Sequence, residues 1–349
     1  MEFSSSLLFI LIIFLSVGIG FYIKVNPNKS TEYFLGNRSL SWFPLMMTFL
    51  ATQIGGGFII GTAESAREVG GFGIFYSLGQ GLGFLAFGLG FGARLQSLRL
   101  STCSEVFEVY YQSPFLKKIT SLLSILSLCG ILIAQASGLH KFMGSMGWTN
   151  ELIFLSTWAL VILYTTKGGF LAVVFTDTLQ ACFMILLLII AFFTATVTAP
   201  DFSTLSFSSN SVSIPWTLLL MPFLYMFIEQ DMVQRCFAGR SKSDVTKASL
   251  FAFAALVLLA FIPVYFGVLA KSATPHSGTT SAFMDAVFSY CSPMVYGMCG
   301  ICVLLAIIST SSSLLLAISS NVALDFSSKT RHYSKAITMS IGGLALLGS

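Results

Sequence analysis

Three consecutive glycines at residues 55–57 interrupt a strongly apolar stretch of the chain. The stretch covers about residues 42–66, which is long enough to cross a bilayer as a helix. Each glycine inside a helix costs about 0.5–1 kcal/mol relative to alanine, so three together predict a break. A break would free the carbonyls of Ala51 and Ile54 from the amides four residues later, and broken helices are where secondary transporters bind cations. The alternative is that the glycines only permit close helix packing.

A second polar feature lies within the apolar stretch at residues 294–325, where residues 309–313 all carry hydroxyl groups. Ala306, Ser309 and Thr310 are spaced i, i+3 and i+4, so they share one face of a helix. This face offers one carbonyl and two hydroxyls, which together with the two freed carbonyls make five neutral oxygens. Hard cations take oxygen ligands, and an uncharged set suits a monovalent ion better than Ca²⁺ or Mg²⁺. The alternative is that the hydroxyls bond to carbonyls of their own helix and serve packing.

The composition indicates that most of the chain faces lipid. Of its 349 residues, 55% are hydrophobic and only 9% are charged, whereas soluble domains have roughly 25% charged residues. The N-terminal apolar segment lacks the basic residues that precede a signal peptide core, so we interpret it as a first span. Hydropathy places membrane spans at about residues 6–23, 42–66, 72–93, 119–139, 151–166, 171–198, 214–234, 248–270 and 294–325. A tenth begins near Ala336, and we expect it to be incomplete at residue 349.

The basic residues predict how these spans are oriented. Of the 18 lysines and arginines, all but Arg67, Lys141 and Lys271 fall in alternate loops, with Arg235 assigned to the loop after the seventh span. Because basic residues are retained in the cytoplasm, this alternation places the N-terminus outside. The loops are short and contain no linker, so we predict one membrane domain over residues 1–349.

Other chemistry is not indicated by the residue pattern. The three histidines lie far apart in the sequence, which gives no zinc-type cluster. Cys299 and Cys302 form a C-x-x-C within an apolar run, which we interpret as small buried hydrophobic residues. No H-E-x-x-H motif, nucleophile elbow of a soluble fold or pair of mid-span acids is present, so the sequence predicts neither an enzyme nor a nucleic-acid-binding protein.

Several motifs now carry a resemblance to a known family. Residues 168–180 are close to the G-G-x-x-A-V-x-x-T-D-x-x-Q signature of the sodium:solute symporter family. Residues 51–64 resemble the family's first core helix, and residues 306–310 resemble the helix that completes its sodium site. Residues 32–40 and 230–235 match the segments before the first and at the end of the sixth core helix. The resemblance spans about residues 30–330 in the family's order.

The resemblance implies an all-α, LeuT-like bundle of two inverted five-helix repeats after an extra N-terminal helix. The first repeat would cover about residues 42–198, and the second would start near residue 214 and be incomplete at residue 349. Pro222, in the seventh span, would interrupt the second repeat as the glycines interrupt the first. The family also implies that Na⁺ is held by the five positions identified above from their spacing: Ala51, Ile54, Ala306, Ser309 and Thr310.

The resemblance further implies an ion path and a solute pocket. Asp177 aligns with an acidic residue that the family places near the cytoplasmic exit of sodium. The alternative is that Asp177 has no role in the ion path and is an acid near the start of a helix, where the helix dipole stabilises its negative charge. The expected pocket residues, chosen from the broken helices and their neighbours, are Gln53, Gly57, Phe58, Gln135, Tyr225 and Glu229. Proline-transporting members carry aromatic residues where this chain has Gly57, Ala134 and Pro222, which argues against proline.

We therefore predict a sodium-coupled symporter of the inner or plasma membrane that imports a small organic solute by alternating access. The solute would be an amino acid, a choline-like compound or a carboxylate, and Na⁺ would be the co-transported ion. The alternative is a truncated, transport-inactive membrane protein or a solute sensor of the same fold. Binding without counterflow in proteoliposomes would distinguish this alternative.

Overall fold

The structure is a computed structural model that describes residues 3–23, 25–26, 29–199, 215–273, 281–326 and 333–348. Within these ranges the chain is almost entirely helical, and the only β-type pairing is an isolated bridge between Leu40 and Gly239. The α-helices are α1 (Phe3–Tyr22), α2 (Ser30–Leu35), α3 (Trp42–Gln53), α4 (Thr62–Val69), α5 (Ile74–Ala86), α6 (Gly92–Leu98), α7 (Cys103–Tyr111), α8 (Pro114–Ser145), α9 (Glu151–Thr198), α10 (Trp216–Tyr225), α11 (Gln230–Ala238), α12 (Lys242–Leu269), α13 (Ala282–Tyr290), α14 (Pro293–Asp325) and α15 (Ser334–Leu347). Two π-helical segments, Gly57–Gly61 and Phe87–Phe91, precede α4 and α6.

Within the described part of the chain, five helical stretches are long and apolar enough to cross a membrane. They are Gly57–Leu98, Pro114–Ser145, Glu151–Thr198, Lys242–Leu269 and Pro293–Asp325. Shorter apolar helices cover Leu7–Tyr22, Trp216–Tyr225 and Ser334–Leu347. This pattern is that of a multi-pass membrane protein.

The long helix α9 combines the two spans predicted at residues 151–166 and 171–198. It is interrupted at Gly169, whose φ and ψ of 56° and −150° lie outside the helical range. A Cβ atom at this position would lie 2.7 Å from the carbonyl oxygen of Tyr33. The site therefore requires glycine both for its backbone conformation and for the close approach of the segment before α3. The two spans meet at this kink without an intervening loop.

The seventh predicted span is broken, but not at the proline. Pro222 lies inside α10, and its carbonyl still accepts a bond of 3.2 Å from the amide of Met226. The helix ends at Tyr225, and α11 begins at Gln230. Proline lacks a donor only at its own nitrogen and crowds the preceding turn, so it does not itself fix where the following turns unwind. The interruption thus lies between Tyr225 and Gln230.

Of the five membrane-length stretches, α14 is the most buried. It packs against α8 and α9 and also contacts α3 and α11. Its hydroxyl and small residues allow neighbouring backbones to approach closely. Cys299 and Cys302 are buried among them, and the Cys302 thiol lies 3.7 Å from the carbonyl oxygen of Met184. A Ser-Pro pair begins α14, and the hydroxyl of Ser292 accepts from the amide of Val295 at 3.4 Å. Such N-terminal caps set where the helix starts.

Candidate functional site

The first broken helix opens at Ile54. Helix α3 ends at Gln53, and Ile54 has φ and ψ of −77° and 59°, which is not helical. The amide of Phe58, which in a continuous helix would bond to the carbonyl of Ile54, instead bonds to the carbonyl of Gly55 at 3.1 Å. The chain then re-forms as the π-helical segment Gly57–Gly61. The carbonyl of Ile54 is thus released from the regular helical pattern.

Two hydroxyls of α14 contact backbone carbonyls at the end of α3. Ser309 Oγ donates to the carbonyl of Ala51 at 2.9 Å and lies 3.1 Å from the carbonyl of Ala306. Thr310 Oγ1 lies 3.2 Å from the carbonyl of Thr52 and 3.0 Å from that of Ala306. The structure thus brings Ala51, Ala306, Ser309 and Thr310 together. The predicted fifth position, Ile54, is fully buried three residues after Ala51.

Apart from Ser313, whose Oγ lies 3.2 Å from Thr52 Oγ1, the remaining hydroxyls of α14 behave differently from this pair. Four of them bond to carbonyls of their own helix at 2.6–2.9 Å: Ser311, Ser312, Ser319 and Ser320. These four residues therefore fit the alternative interpretation, in which the hydroxyls bond to their own helix and serve packing. Only part of the run reaches across to the broken segment.

We predict that the contact between α14 and the end of α3 requires glycine at position 55, because any side chain there would collide with Thr310. A Cβ atom there would lie 2.6 Å from Thr310 Oγ1. We expect Gly55→Ala to lower the free energy of unfolding by about 1–3 kcal/mol, because overpacking forces neighbours to shift. Gly61→Ala is the matched control, since nothing lies within 4 Å of its added Cβ, and there alanine is expected to be neutral or mildly stabilising. Thermal unfolding in detergent measures both, and equal melting temperatures would contradict the expectation.

Asp177 lies in a buried ionic cluster on the C-terminal side of the kink in α9, not at a helix start. It is eight residues beyond Gly169 within a continuous helix and is fully buried. Its Oδ2 accepts from Thr48 Oγ1 at 2.6 Å and from Arg235 Nη2 at 3.2 Å. Arg235 Nη2 also donates to Ser313 Oγ at 2.6 Å. The expectation that a helix N-terminus stabilises Asp177 is therefore wrong, because a buried guanidinium and a hydroxyl bind the carboxylate instead.

Arg235 is the residue of this cluster that sequence reasoning missed. Its assignment to a cytoplasmic loop is wrong: it lies inside α11, with only 1% of its surface exposed. Its Nη1 donates to the main-chain carbonyl of Asp231 at 2.8 Å. The spacing of Asp231 and Arg235, i and i+4, is a sequence signal that the helix continues through this position.

All six predicted pocket residues line one cavity of about 740 Å³. Gln53, Gly57 and Phe58 reach it from the first broken helix, Gln135 from α8, and Tyr225 and Glu229 from the second break. Such a volume is within the usual range of small-molecule sites. Sequence reasoning missed Tyr76 and Gln80 of α5, which also line it. The sequence signal that could have identified these two residues is that both are polar residues within an apolar span.

A chain of amides crosses this cavity. Gln80 Nε2 donates to Gln53 Oε1 at 2.6 Å, and Gln53 Nε2 donates to Glu229 Oε2 at 3.2 Å. Glu229 is the N-cap residue of α11, yet its side chain makes no capping hydrogen bond to that helix. Its carboxylate is directed instead towards the first broken helix.

Residues 33–211, just over half of the chain, match the sequence profile of the sodium:solute symporter family. The chain is 28% identical to the rat protein "Solute carrier family 5 member 4", over 74% of this chain and 44% of that protein. It is 26% identical to the "High-affinity choline transporter 1" of Drosophila melanogaster, over 91% and 55% of the two chains. It is also 26% identical to the "Sodium/proline symporter" of Haemophilus influenzae, over 92% and 70%. The chain therefore spans about half the length of the curated relatives that it matches.

Solved structures show the same architecture. A Na⁺-coupled sialic acid symporter in a substrate-bound, outward-open state superposes with a TM-score of 0.83 at 16% identity, covering 99% of this chain and 82% of that chain. A nucleobase-cation-symport-1 family transporter in a closed conformation superposes with a TM-score of 0.58, also at 16% identity, covering 90% and 72%. At these identities the likeness shows the fold, which is the all-α, LeuT-like bundle expected from the motifs. The match of the family profile to just over half of the chain establishes that this chain belongs to the sodium:solute symporter family.

Proposed function

We propose that the protein is a sodium-coupled symporter that imports a small organic solute across the inner or plasma membrane by alternating access. It would act as a carrier and not as an enzyme, as its transporter relatives suggest. The observation that carries the proposal is the contact of 2.9 Å between Ser309 Oγ and the carbonyl of Ala51. It joins α14 to a helix that opens within the membrane, as cation sites in such transporters require.

The donor set at this contact fits Na⁺. The carbonyls of Ala51, Ile54 and Ala306 and the hydroxyls of Ser309 and Thr310 are all neutral oxygens. The two hydroxyl protons are directed at backbone carbonyls. A cation placed among these oxygens would take over the role of those protons, since each hydroxyl also has lone pairs to offer. A set without a carboxylate suits a weakly held monovalent ion that must leave again.

A line of polar groups supports a route from this site to Asp177. Thr310 Oγ1 contacts the carbonyl of Thr52, and Thr52 Oγ1 lies 3.2 Å from Ser313 Oγ. Ser313 Oγ is 3.5 Å from Asp177 Oδ2. We propose that Na⁺ leaves along this line, so that Asp177 receives the ion after it departs from the hydroxyls. Acids within membrane segments commonly mark ion pathways.

Na⁺ binding would be coupled to solute transport because the ion joins the first broken helix to α14. Bound Na⁺ would hold the broken helix against α14 and favour the state in which the solute cavity is formed. The six predicted cavity residues would then bind the solute, and its binding would favour closure. Loss of Na⁺ towards Asp177 would release the contact and favour the inward-facing state.

The experiment that tests this function is uptake into proteoliposomes. Amino acids, choline, betaines and carboxylates would be offered with an inward Na⁺ gradient and, as the control, with an equal K⁺ gradient. We expect one solute class to accumulate only with Na⁺. Thermal stabilisation of the purified protein by NaCl but not by KCl provides a readout that needs no solute. Equal behaviour in Na⁺ and K⁺ in both assays would refute the proposal.

We also propose that the N-terminus lies outside the cell, from the alternation of basic residues along the chain. An epitope tag placed before residue 3 is expected to bind antibody on intact cells. A tag inserted between α7 and α8, at Gln112 and Ser113, is expected to be reached only after permeabilisation. The opposite pattern would show that the orientation is reversed.

A further inference from the structure

We infer that the solute carried through this cavity bears a positively charged ammonium group, which pairs with the carboxylate of Glu229. The inference rests on the proposed transport function, and it adds the chemical class of the solute. Among the described residues that line the cavity, Glu229 has the only charged side chain. The other polar groups there are amides, hydroxyls and phenols.

Glu229 has no cationic partner among the ion pairs of the described residues. The basic residue on the same helix, Arg235, contacts Asp177 and Ser313 instead. Its only contact with the acidic Asp231 is through the main-chain carbonyl. The carboxylates of Glu229 and Asp231 are therefore not neutralised by it directly. Carboxylates at membrane depth are normally paired, and a cationic solute in this cavity would supply the partner that Glu229 lacks among the described residues.

The hydrogen bonds around Glu229 leave half of its carboxylate available. Oε2 accepts from Gln53, whose own carbonyl is taken by Gln80. No described residue donates to Oε1. The amide chain therefore fixes the orientation of the carboxylate without satisfying both of its oxygens. An ammonium group bound at Oε1 would complete the pairing.

The remaining walls suit the body of a small organic cation. Phe58, Tyr76 and Tyr225 line the same cavity as Glu229. Aromatic faces attract ammonium groups, especially where water is excluded. A carboxylate solute would find no arginine, lysine or histidine among the described lining residues. The wall therefore favours a cation over an anion.

The test measures the charge preference of the cavity directly and needs no identified solute. Gln135→Cys places a thiol on the wall contributed by α8, and the parent chain is the baseline because none of its seven cysteines lines the cavity. The probes are a cationic and an anionic methanethiosulfonate, carrying trimethylammonium and sulfonate. We expect the ratio of their rates, cationic over anionic, to exceed that of a free thiol by about tenfold, which corresponds to about 1.4 kcal/mol.

Glu229→Gln in the same background is expected to return the ratio to that of the free thiol, and Glu229→Asp to keep most of it. Asp244→Asn, a carboxylate-to-amide change in an ion pair away from the cavity, is the matched control and should leave the ratio unchanged. A ratio unaffected by Glu229→Gln would overturn the inference. So would Na⁺-dependent uptake of a neutral or anionic solute that survives Glu229→Gln; that result would leave sodium coupling intact, so the two proposals fail separately.

Discussion

Replacing Ser309 and Thr310 together with alanine is expected to remove Na⁺-driven uptake at Na⁺ concentrations that saturate the parent protein. The substitution removes two of five proposed ligands while leaving the backbone carbonyls in place. Interactions of a polar group with a charged partner are worth about 1.5–3 kcal/mol each. Losing both should therefore raise the half-saturating Na⁺ concentration by about 100-fold or more, since each 1.4 kcal/mol is about tenfold. The measurement is uptake against Na⁺ concentration, together with thermal stabilisation by NaCl.

Ser311→Ala is the matched control for this double variant. Ser311 is buried, like Ser309 and Thr310. Its hydroxyl, however, bonds to the carbonyl of Ile307 in its own helix, at 2.7 Å. It should therefore retain the wild-type Na⁺ dependence. If Ser311→Ala lost Na⁺ dependence to the same extent, the effect would be one of helix packing. If the double variant kept it, the proposed ion site would be wrong.

The features that the sequence predicted well are those that a local pattern determines. Three glycines in a row weaken a helix wherever they occur, and the chain does leave the helix at Ile54, beside them. The i, i+3, i+4 spacing of Ala306, Ser309 and Thr310 fixes a shared face once the helix exists. Residues chosen from the broken helices lie on one cavity because breaks at membrane depth must line a cavity or be buried.

The features that it predicted poorly depend on partners far along the chain. From the sequence alone, Arg235 is assigned to a loop because burying an arginine is costly. It is tolerated only because Asp177, 58 residues earlier, and Thr48 on α3 meet it. Likewise, the second break lies beyond Pro222, in a stretch that contains no glycine. Its position reflects tertiary packing, and no local propensity marks it.

The ionic cluster gives the second large expected effect: Arg235→Met should destabilise the protein by about 3–5 kcal/mol. The variant keeps an unbranched apolar stem but lacks the guanidinium, so it leaves Asp177 buried with only hydroxyl partners. Removing one member of a buried pair costs this much because the remaining charge is uncompensated. Arg240→Met is the matched control, because its ion pair with Asp244, at 3.3 Å, involves an arginine side chain that is 64% exposed. Exposed pairs contribute only about 0–1 kcal/mol. Thermal unfolding in detergent compares the two variants.

A double variant distinguishes pairing from mere loss of packing around Arg235. Asp177→Asn removes the charge that Arg235 compensates and retains an oxygen that can accept from Thr48, which now donates at 2.6 Å. In Asp177→Asn combined with Arg235→Met no charge is left uncompensated within the pair, so the double variant should unfold at a higher temperature than Arg235→Met alone. For residues in contact, the effects of two substitutions on the free energy of unfolding depart from additivity by about 0.5–3 kcal/mol, whereas the effects at independent sites add. Strict additivity of the two substitutions would mean that the 3.2 Å contact does not act as an ion pair. If the double variant recovers stability but not transport, the structural role of Asp177 is separate from its role in the ion path, because Asp177 is also the proposed receiver of Na⁺.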